Sequence, residues 1–249
     1  MQYGICLLSI VPLRSQASDE SEMVSQILYG EHFKILEERA KWSRIRVAFD
    51  SYEAWISNKQ FQKIEEAQFK RLNEQKPQLS SDLIEYVTDE NGHLMPIPIG
   101  SVLNATNHFK HIFEGIKVSG KKPKPELINS ALLYLNSPYS WGGKSPFGID
   151  CSGFTQMVYK LNGYKLKRDA AEQAKQGEAL SFIEESEAGD LAFFDDKEGV
   201  IDHVGIIMND NYIIHVDGKV RIDRIDHSGI FNADLRKHTH QLRVIKKII

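Results

Sequence analysis

The chain has 249 residues and a mass of 28.4 kDa, more than one ordinary domain, so two or three are expected. Hydrophobic residues make up 41% and charged residues 26%, a globular composition that excludes a disordered or collagen-like chain. A net charge of -3 and a pI near 6.3 leave no basic footprint for nucleic acid or an anionic membrane.

The first twelve residues, MQYGICLLSIVP, carry no Lys or Arg before an apolar run that Gly4 and Ser9 break. They predict no secretory signal, and Cys6 comes too early for a lipoprotein processing site. Nothing later reaches a membrane-spanning length. The expected location is the cytoplasm, or the periplasm or exterior if a leader has been removed. Both cysteines are expected to stay reduced, as a reducing compartment would keep them.

Residues 3–11 read as a first strand. From 13 to 61 the pattern is all-β, with short strands at 24–28, 33–37, 42–48 and 54–57 and a turn at Tyr29-Gly30. Trp42-Ser-Arg-Ile-Arg-Val alternates apolar and polar residues, as a half-buried strand does. Strands this short and closely spaced predict a small barrel over residues 1–61. Residues 65–74 are a short helix or a linker. Residues 62–119 return to strand-like runs, with Asn91-Gly92 as a hairpin turn and Pro96 and Pro98 at strand margins. They read as a second, divergent barrel or as a connector. Gly120-Lys-Lys-Pro-Lys-Pro is a stiff linker, and 126–135 opens a third domain over 120–249 as a helix.

That third domain holds the stretch with chemical character, YSWGGKSPFGIDCSGF over residues 139–154. Apolar residues Phe154, Met157, Val158 and Leu161 follow Cys151 at helical spacing. Cys151 is therefore placed at a helix N-terminus, where free N–H groups and the helix dipole lower a thiol pKa. A lone cysteine is more commonly a buried structural residue. The downstream stretch DHVGIIMNDNYIIHVDGKVRID tips the balance. It reads as two strands, 203–208 and 212–216, around the turn Asn209-Asp210-Asn211. The hairpin brings His203 and His215 together. A helix-start cysteine facing two histidines suits a cysteine hydrolase, one imidazole taking the thiol proton and the second group orienting the first.

These residues carry a resemblance. Tyr139-Ser-Trp-Gly-Gly, Pro146-Phe-Gly-Ile-Asp-Cys-Ser-Gly-Phe, Gly189-Asp-Leu and Asp202-His-Val-Gly resemble the NlpC/P60 cysteine peptidases, a papain-like family that cuts bacterial cell-wall peptides. The resemblance implies an α+β catalytic domain with Cys151 as nucleophile, His203 as general base and His215 as the orienting third member. Pro12-Leu-Arg, Ser21-Glu-Met-Val-Ser-Gln-Ile-Leu-Tyr-Gly-Glu, Trp42-Ser-Arg-Ile-Arg and Tyr52-Glu-Ala-Trp-Ile are similar to the bacterial SH3 domain that precedes such domains in dipeptidyl-peptidases.

Further site residues follow from chemistry and resemblance together. The phenol of Tyr139 could serve the oxyanion or the substrate, or simply pack. Asp150 and Ser152 flank the nucleophile. Asp150 would raise the thiol pKa, so its expected use is to pair with a substrate ammonium. Asp169, in Arg168-Asp-Ala at the start of another helix, offers a second carboxylate. The family's dipeptidyl-peptidases release L-Ala-γ-D-Glu from murein stem peptides with a free amine, which their SH3 domain helps to hold. By that resemblance Tyr52 and Glu22 are substrate contacts, with Glu31 as the other acidic candidate. The implied partner is a murein peptide ahead of a diamino acid, and the implied role is peptide recycling. Neither cofactor nor metal is expected, there being no CxxC pair or HExxH, and His238 and His240 read as solvated loop or edge residues. Rival readings are an exported endopeptidase acting on intact wall, or an inert module that binds wall fragments.

Overall fold

The computed structural model describes residues 2–249. The chain divides into two compact units, one running to Lys121 and including Trp141–Pro146, the other formed by Lys122–Ser140 and Phe147–Ile249.

The first unit opens with β1 (Gln2–Ile5), β2 (Ile10–Arg14), β3 (Met23–Leu28), β4 (His32–Glu38), β5 (Trp42–Val47), β6 (Glu53–Ser57) and β7 (Gln62–Ile64). They form one antiparallel sheet in the order β3-β2-β6-β5-β4-β1-β7, the barrel-like SH3 architecture. Its core takes alternate residues from the strands: Val11 and Leu13, Phe33 and Ile35, Ile45 and Val47, Ala54 and Ile56. The single strand expected over 3–11 is two strands. β1 pairs with β4 and β7, whereas β2 pairs with β3 and β6. The run must break to serve both regions of the sheet, and it breaks where Cys6 N donates to Glu31 O and Gly30 N donates to Cys6 O.

Residues 66–74 resolve as helix α1 (Glu66–Glu74), with Phe69 and Leu72 buried and Phe69 stacked on Tyr3. Beyond it come β8 (Gln78–Ser80), β9 (Ile84–Thr88), β10 (Leu94–Pro98), β11 (Ile112–Phe113) and β12 (Lys117–Ser119). They make a three-stranded sheet, β10-β9-β11, and a two-stranded one, β12-β8. The hairpin expected at Asn91-Gly92 is present, but as a wider loop. Asp89 N donates to His93 O, and Gly92 alone takes a left-handed conformation, at φ +82°. Pro96 falls mid-strand rather than at a margin, on the edge strand β10, where a missing donor is tolerated. The Tyr29-Gly30 turn meets this region. Val102 N donates to Tyr29 O at 2.8 Å, and a Cβ on Gly30 would lie 1.8 Å from Val102 O, so that position demands glycine.

The second unit begins with α2 (Glu126–Leu132), shorter than the 126–135 expected. Only Leu127, Ala131 and then Tyr134 face inward, while Leu132, Leu133 and Leu135 are exposed and the chain turns through Asn136 at φ +68°. Helix α3 (Cys151–Leu161) follows, capped by Asp150, whose side chain accepts from Gly153 N at 2.7 Å. Every residue of α3 after Cys151 is buried, so it is a central helix rather than an amphipathic surface one. A short α4 (Ala170–Gln173) is tied to it, Thr155 Oγ1 donating to Gln173 Oε1 at 2.8 Å.

The rest of the unit is β: β13 (Glu178–Leu180), β14 (Leu191–Asp195), β15 (Ile201–Met208), β16 (Tyr212–Asp217), β17 (Lys219–Asp226), β18 (Gly229–Asn232) and β19 (Lys237–Lys247). The order is β13-β19-β14-β15-β16-β17-β18, and β18 also pairs with β19. The last six strands therefore close on themselves. Residues such as Val204, Ile206, Phe193 and Ile214 alternate with an opposite face carrying Phe194, Ile207, Ile213, Ile225 and Ile230. That second face also carries the histidines. Among the described residues no helix is long and apolar enough to cross a membrane.

Candidate active site

Cys151 is the first residue of α3 and stays partly exposed. Its Sγ lies 3.8 Å from the carbonyl oxygen of Asp202, on the backbone of β15 directly before His203. The turn Asn209-Asp210-Asn211, with Asp210 and Asn211 both left-handed at φ 59°, sets the β15–β16 register so that Gly205 stands opposite His215. His203 is two residues from Gly205 and shares its face. His203 Nε2 and His215 Nδ1 are 2.9 Å apart.

The chain of contacts does not stop there. His215 Nε2 lies 3.0 Å from Asp223 Oδ2 on β17. Arg221 grips that carboxylate in a fork, Nε at 2.6 Å and Nη2 at 2.9 Å. Burial works against ionisation of Asp223, but the hydrogen bonds from His215 and Arg221 outweigh it and hold the carboxyl below its ordinary range. An ionised Asp223 can only accept, which fixes both tautomers. His215 carries its proton on Nε2 and accepts on Nδ1, so His203 must donate from Nε2. The free lone pair of His203 is then on Nδ1, the nitrogen nearest its own backbone, and that backbone is where the thiol of Cys151 lies.

The protonation states differ from the sequence expectation of a thiolate. Burial pushes the Cys151 thiol up to about 12, and the Asp150 carboxylate adds to this. The N–H groups of Val204 and Ser152 and the charge of Arg168 pull it down but are outweighed. Burial also holds His203 well below its ordinary value, with His240 and His215 adding to the effect. The resting pair is neutral thiol and neutral imidazole.

The other expected site residues fall into distinct settings. Asp150 is buried, with Arg168 Nη1 donating to Oδ1 at 3.0 Å in addition to the cap on Gly153. Its carboxylate is committed to holding the nucleophile loop, which corrects the expectation that it pairs with a substrate ammonium. Ser152 is also buried, its Oγ accepting from Arg168 Nη1 at 2.9 Å. Asp169 is exposed at the N-cap position of α4. Tyr139 is 44% exposed, and burial, Asp150 and Cys151 raise its pKa, so the phenol keeps a proton to donate. In the first unit, exposed Glu22 accepts from Trp141 Nε1 at 2.6 Å, and Tyr52 packs on the barrel core. Glu31 is buried, accepting from Leu28 N at 2.9 Å beside Lys144.

His240 corrects a second expectation. It is half-buried, not solvated, and stacks on His203 with ring centroids 4.1 Å apart. Ring nitrogens of His203, His215 and His240 lie within 4.8 Å of one another, the metal-like cluster among the described residues. Two of those nitrogens already share a hydrogen bond, and stacking sets the lone pairs of His203 and His240 side by side rather than toward a common centre. The geometry is that of a packed base rather than a metal cage.

Gly205 has a steric reason. A Cβ there would lie 2.9 Å from His215 Cβ and 2.7 Å from Ile213 Cδ1. Gly205→Ala is expected to push His215 off the relay, destabilising the fold by about 1–3 kcal/mol and lowering kcat by about tenfold. Urea unfolding and steady-state kinetics on the same preparation would check both.

A thiol on a helix start, a neutral imidazole oriented by a second imidazole and an ionised carboxylate make a cysteine peptidase site. The NlpC/P60 family model matches residues 136–240, and the model described as "Bacterial dipeptidyl-peptidase Sh3 domain" matches residues 13–61. The protein is an NlpC/P60 cysteine peptidase with a bacterial SH3 domain ahead of its catalytic domain. It is 29% identical to gamma-D-glutamyl-L-lysine dipeptidyl-peptidase of Bacillus subtilis (strain 168), over 77% of this chain and 71% of the relative. It is 27% identical to dipeptidyl-peptidase 6 of Lysinibacillus sphaericus, over 93% and 95%. The crystal structure of an NlpC/P60 family protein from Bacillus cereus matches its fold with a TM-score of 0.81 at 18% identity, over 99% of both chains.

Proposed function

We propose that the protein is a dipeptidyl-peptidase of murein stem peptides, hydrolysing the bond between γ-D-glutamate and a diamino acid and releasing L-Ala-γ-D-Glu from peptides with a free N-terminus. The observation that carries this reading is the combination of the Cys151–His203–His215 site with an SH3 domain of dipeptidyl-peptidase type, in a chain that aligns along nearly its whole length with dipeptidyl-peptidase 6.

In the reaction, Cys151 Sγ attacks the γ-glutamyl carbonyl as His203 Nδ1 takes the thiol proton. Charge develops on the carbonyl oxygen, where the protonated phenol of Tyr139 is a candidate donor. The new imidazolium is stabilised through His215 by the carboxylate of Asp223. His203 then passes its proton to the departing amine of the diamino acid, leaving a thioester. Water, deprotonated by the same nitrogen, releases the dipeptide and restores the thiol. A preference for free peptides suits the turnover of released wall fragments.

The test is digestion of L-Ala-γ-D-Glu-L-Lys and L-Ala-γ-D-Glu-diaminopimelate, each free and N-acetylated, followed by mass spectrometry with Cys151→Ala as the control. Release of L-Ala-γ-D-Glu from the free peptides alone, lost in the variant, is the expected result. Equal cleavage of acetylated peptides would replace the dipeptidyl-peptidase with an endopeptidase. The p60 endopeptidases of Listeria, 40–42% identical over 106 residues, make that the alternative worth measuring. Cleavage of neither form would overturn the proposed substrate.

A further inference from the structure

We propose that His240 is a positioning residue for the general base, its ring lying flat on the imidazole of His203 and fixing the plane in which the base meets the thiol. The inference rests on the peptidase reading of Cys151 and His203. The two rings have centroids 4.1 Å apart and an interplanar angle of 24°. Phe194 closes the packing, 5.7 Å from His203 and 6.0 Å from His240 between ring centroids. His215 meets both rings nearly edge-on, at 89° to His203 and 79° to His240.

The need for such a residue follows from geometry. The hydrogen bond from His203 Nε2 to His215 anchors one point of the ring, not its plane. Rotation about the side chain's own axis would swing Nδ1 while leaving that bond largely intact. A flat partner on one face removes the freedom. Displacing a reacting atom by about 1 Å can cost on the order of 10²-fold in rate, so the plane matters as much as the anchor.

His240 reaches this position through a bulge. β19 pairs His240 with Ile230 but His238 with Phe231, so Thr239 is the extra residue. The bulge turns His240 to the face of His203, while His238 stays exposed against Asp226 at 2.9 Å. Thr239 Oγ1 then lies 2.9 Å from His240 Nδ1.

The stack has an electrostatic consequence. His240 is faced by His203, His215, Asp217 and Asp223. Burial and then His215 hold it below its ordinary value, against the two carboxylates. A proton on His240 would sit face to face with one on His203, so a charged His240 lowers the pKa of the base. Removing the titrating ring must therefore move the acid limb of activity upward.

The experiment compares wild type with His240→Ala and His240→Phe, each checked for a native melt by circular dichroism. Two readouts are taken across pH 4.5–8: kcat and KM on the free stem tripeptide, and the rate of Cys151 alkylation by iodoacetamide, which needs no peptidase activity. His240→Ala is expected to lower kcat about tenfold with KM within about twofold. His240→Phe, which keeps a flat ring, is expected to recover most of the loss, and both variants should shift the acid limb upward. An unchanged kcat in His240→Ala would overturn the proposal, as would a Phe variant no better than Ala with an unmoved acid limb. If wild type cleaves no stem peptide, the substrate reading fails. The alkylation profiles of the two variants then still decide the role of His240, identical profiles in all three proteins counting against it.

Discussion

Asp223→Asn is expected to lower kcat by about 10³-fold, roughly 4 kcal/mol of transition-state stabilisation, with KM nearly unchanged. The carboxylate lies two side chains away from the thiol, so a loss of that size must act through proton placement. In the native protein Asp223 accepts from His215 Nε2, His215 accepts from His203 Nε2, and Nδ1 of His203 is left free. An asparagine has one acceptor oxygen, and the Arg221 fork now occupies both carboxylate oxygens. If Arg221 keeps the amide oxygen, the amide N–H₂ faces His215 and reverses its tautomer. His203 Nδ1 then carries a proton and can no longer accept one from the thiol. Asp234, 80% exposed at the outer end of Arg221, provides the control. Asp234→Asn should stay within about twofold of wild type, because a surface ion pair contributes about 0–1 kcal/mol. Steady-state kinetics on the free tripeptide would read both. An Asp223→Asn enzyme within tenfold of wild type would mean that His215 orients the base without help from the carboxylate.

Asp223 was within reach of the sequence. Asp217-Gly218 is a hairpin turn signal after His215. Carried through, it opposes His215 to Arg221 and Ile213 to Asp223, placing both charges on the histidine face. Reading the stretch as two strands instead of three left the relay one member short. His240 was not legible in the same way. In a regular strand His238 and His240 would share a face, and only the extra residue Thr239 separates them. Nothing in the sequence HTHQ marks that bulge. The Arg168–Asp150 pair was also hidden, because its partners come from the two ends of a helix and loop whose packing no local pattern specifies. What the sequence did specify was local. The apolar spacing after Cys151 placed α3 to the residue, and the turn at 209–211 brought the two histidines together. Long-range electrostatics reversed the thiol expectation. The helix-start N–H of Ser152 does favour a thiolate, yet burial and Asp150 together exceed it.

That reversal gives the second large effect. Alkylation of Cys151 by iodoacetamide in the wild-type protein is expected to rise about tenfold per pH unit from pH 7 to 9, roughly 100-fold in all, with no plateau on the acid side. A resting thiolate–imidazolium pair would behave oppositely, holding a flat rate between the two pKa values of the pair. Here the thiol is pushed up and His203 is pushed down, so moving the proton from one to the other is uphill in the resting site. Only the small thiolate fraction reacts, and it grows with hydroxide. A flat profile between pH 5 and 8 would sink this picture and restore the ion pair. The neutral resting state also explains why the relay behind His203 is built so completely. If the imidazolium forms only as the carbon–sulfur bond forms, the carboxylate of Asp223 gains its strongest interaction in the transition state rather than in the free enzyme. An interaction of that kind raises kcat, whereas one already present in the resting site would not.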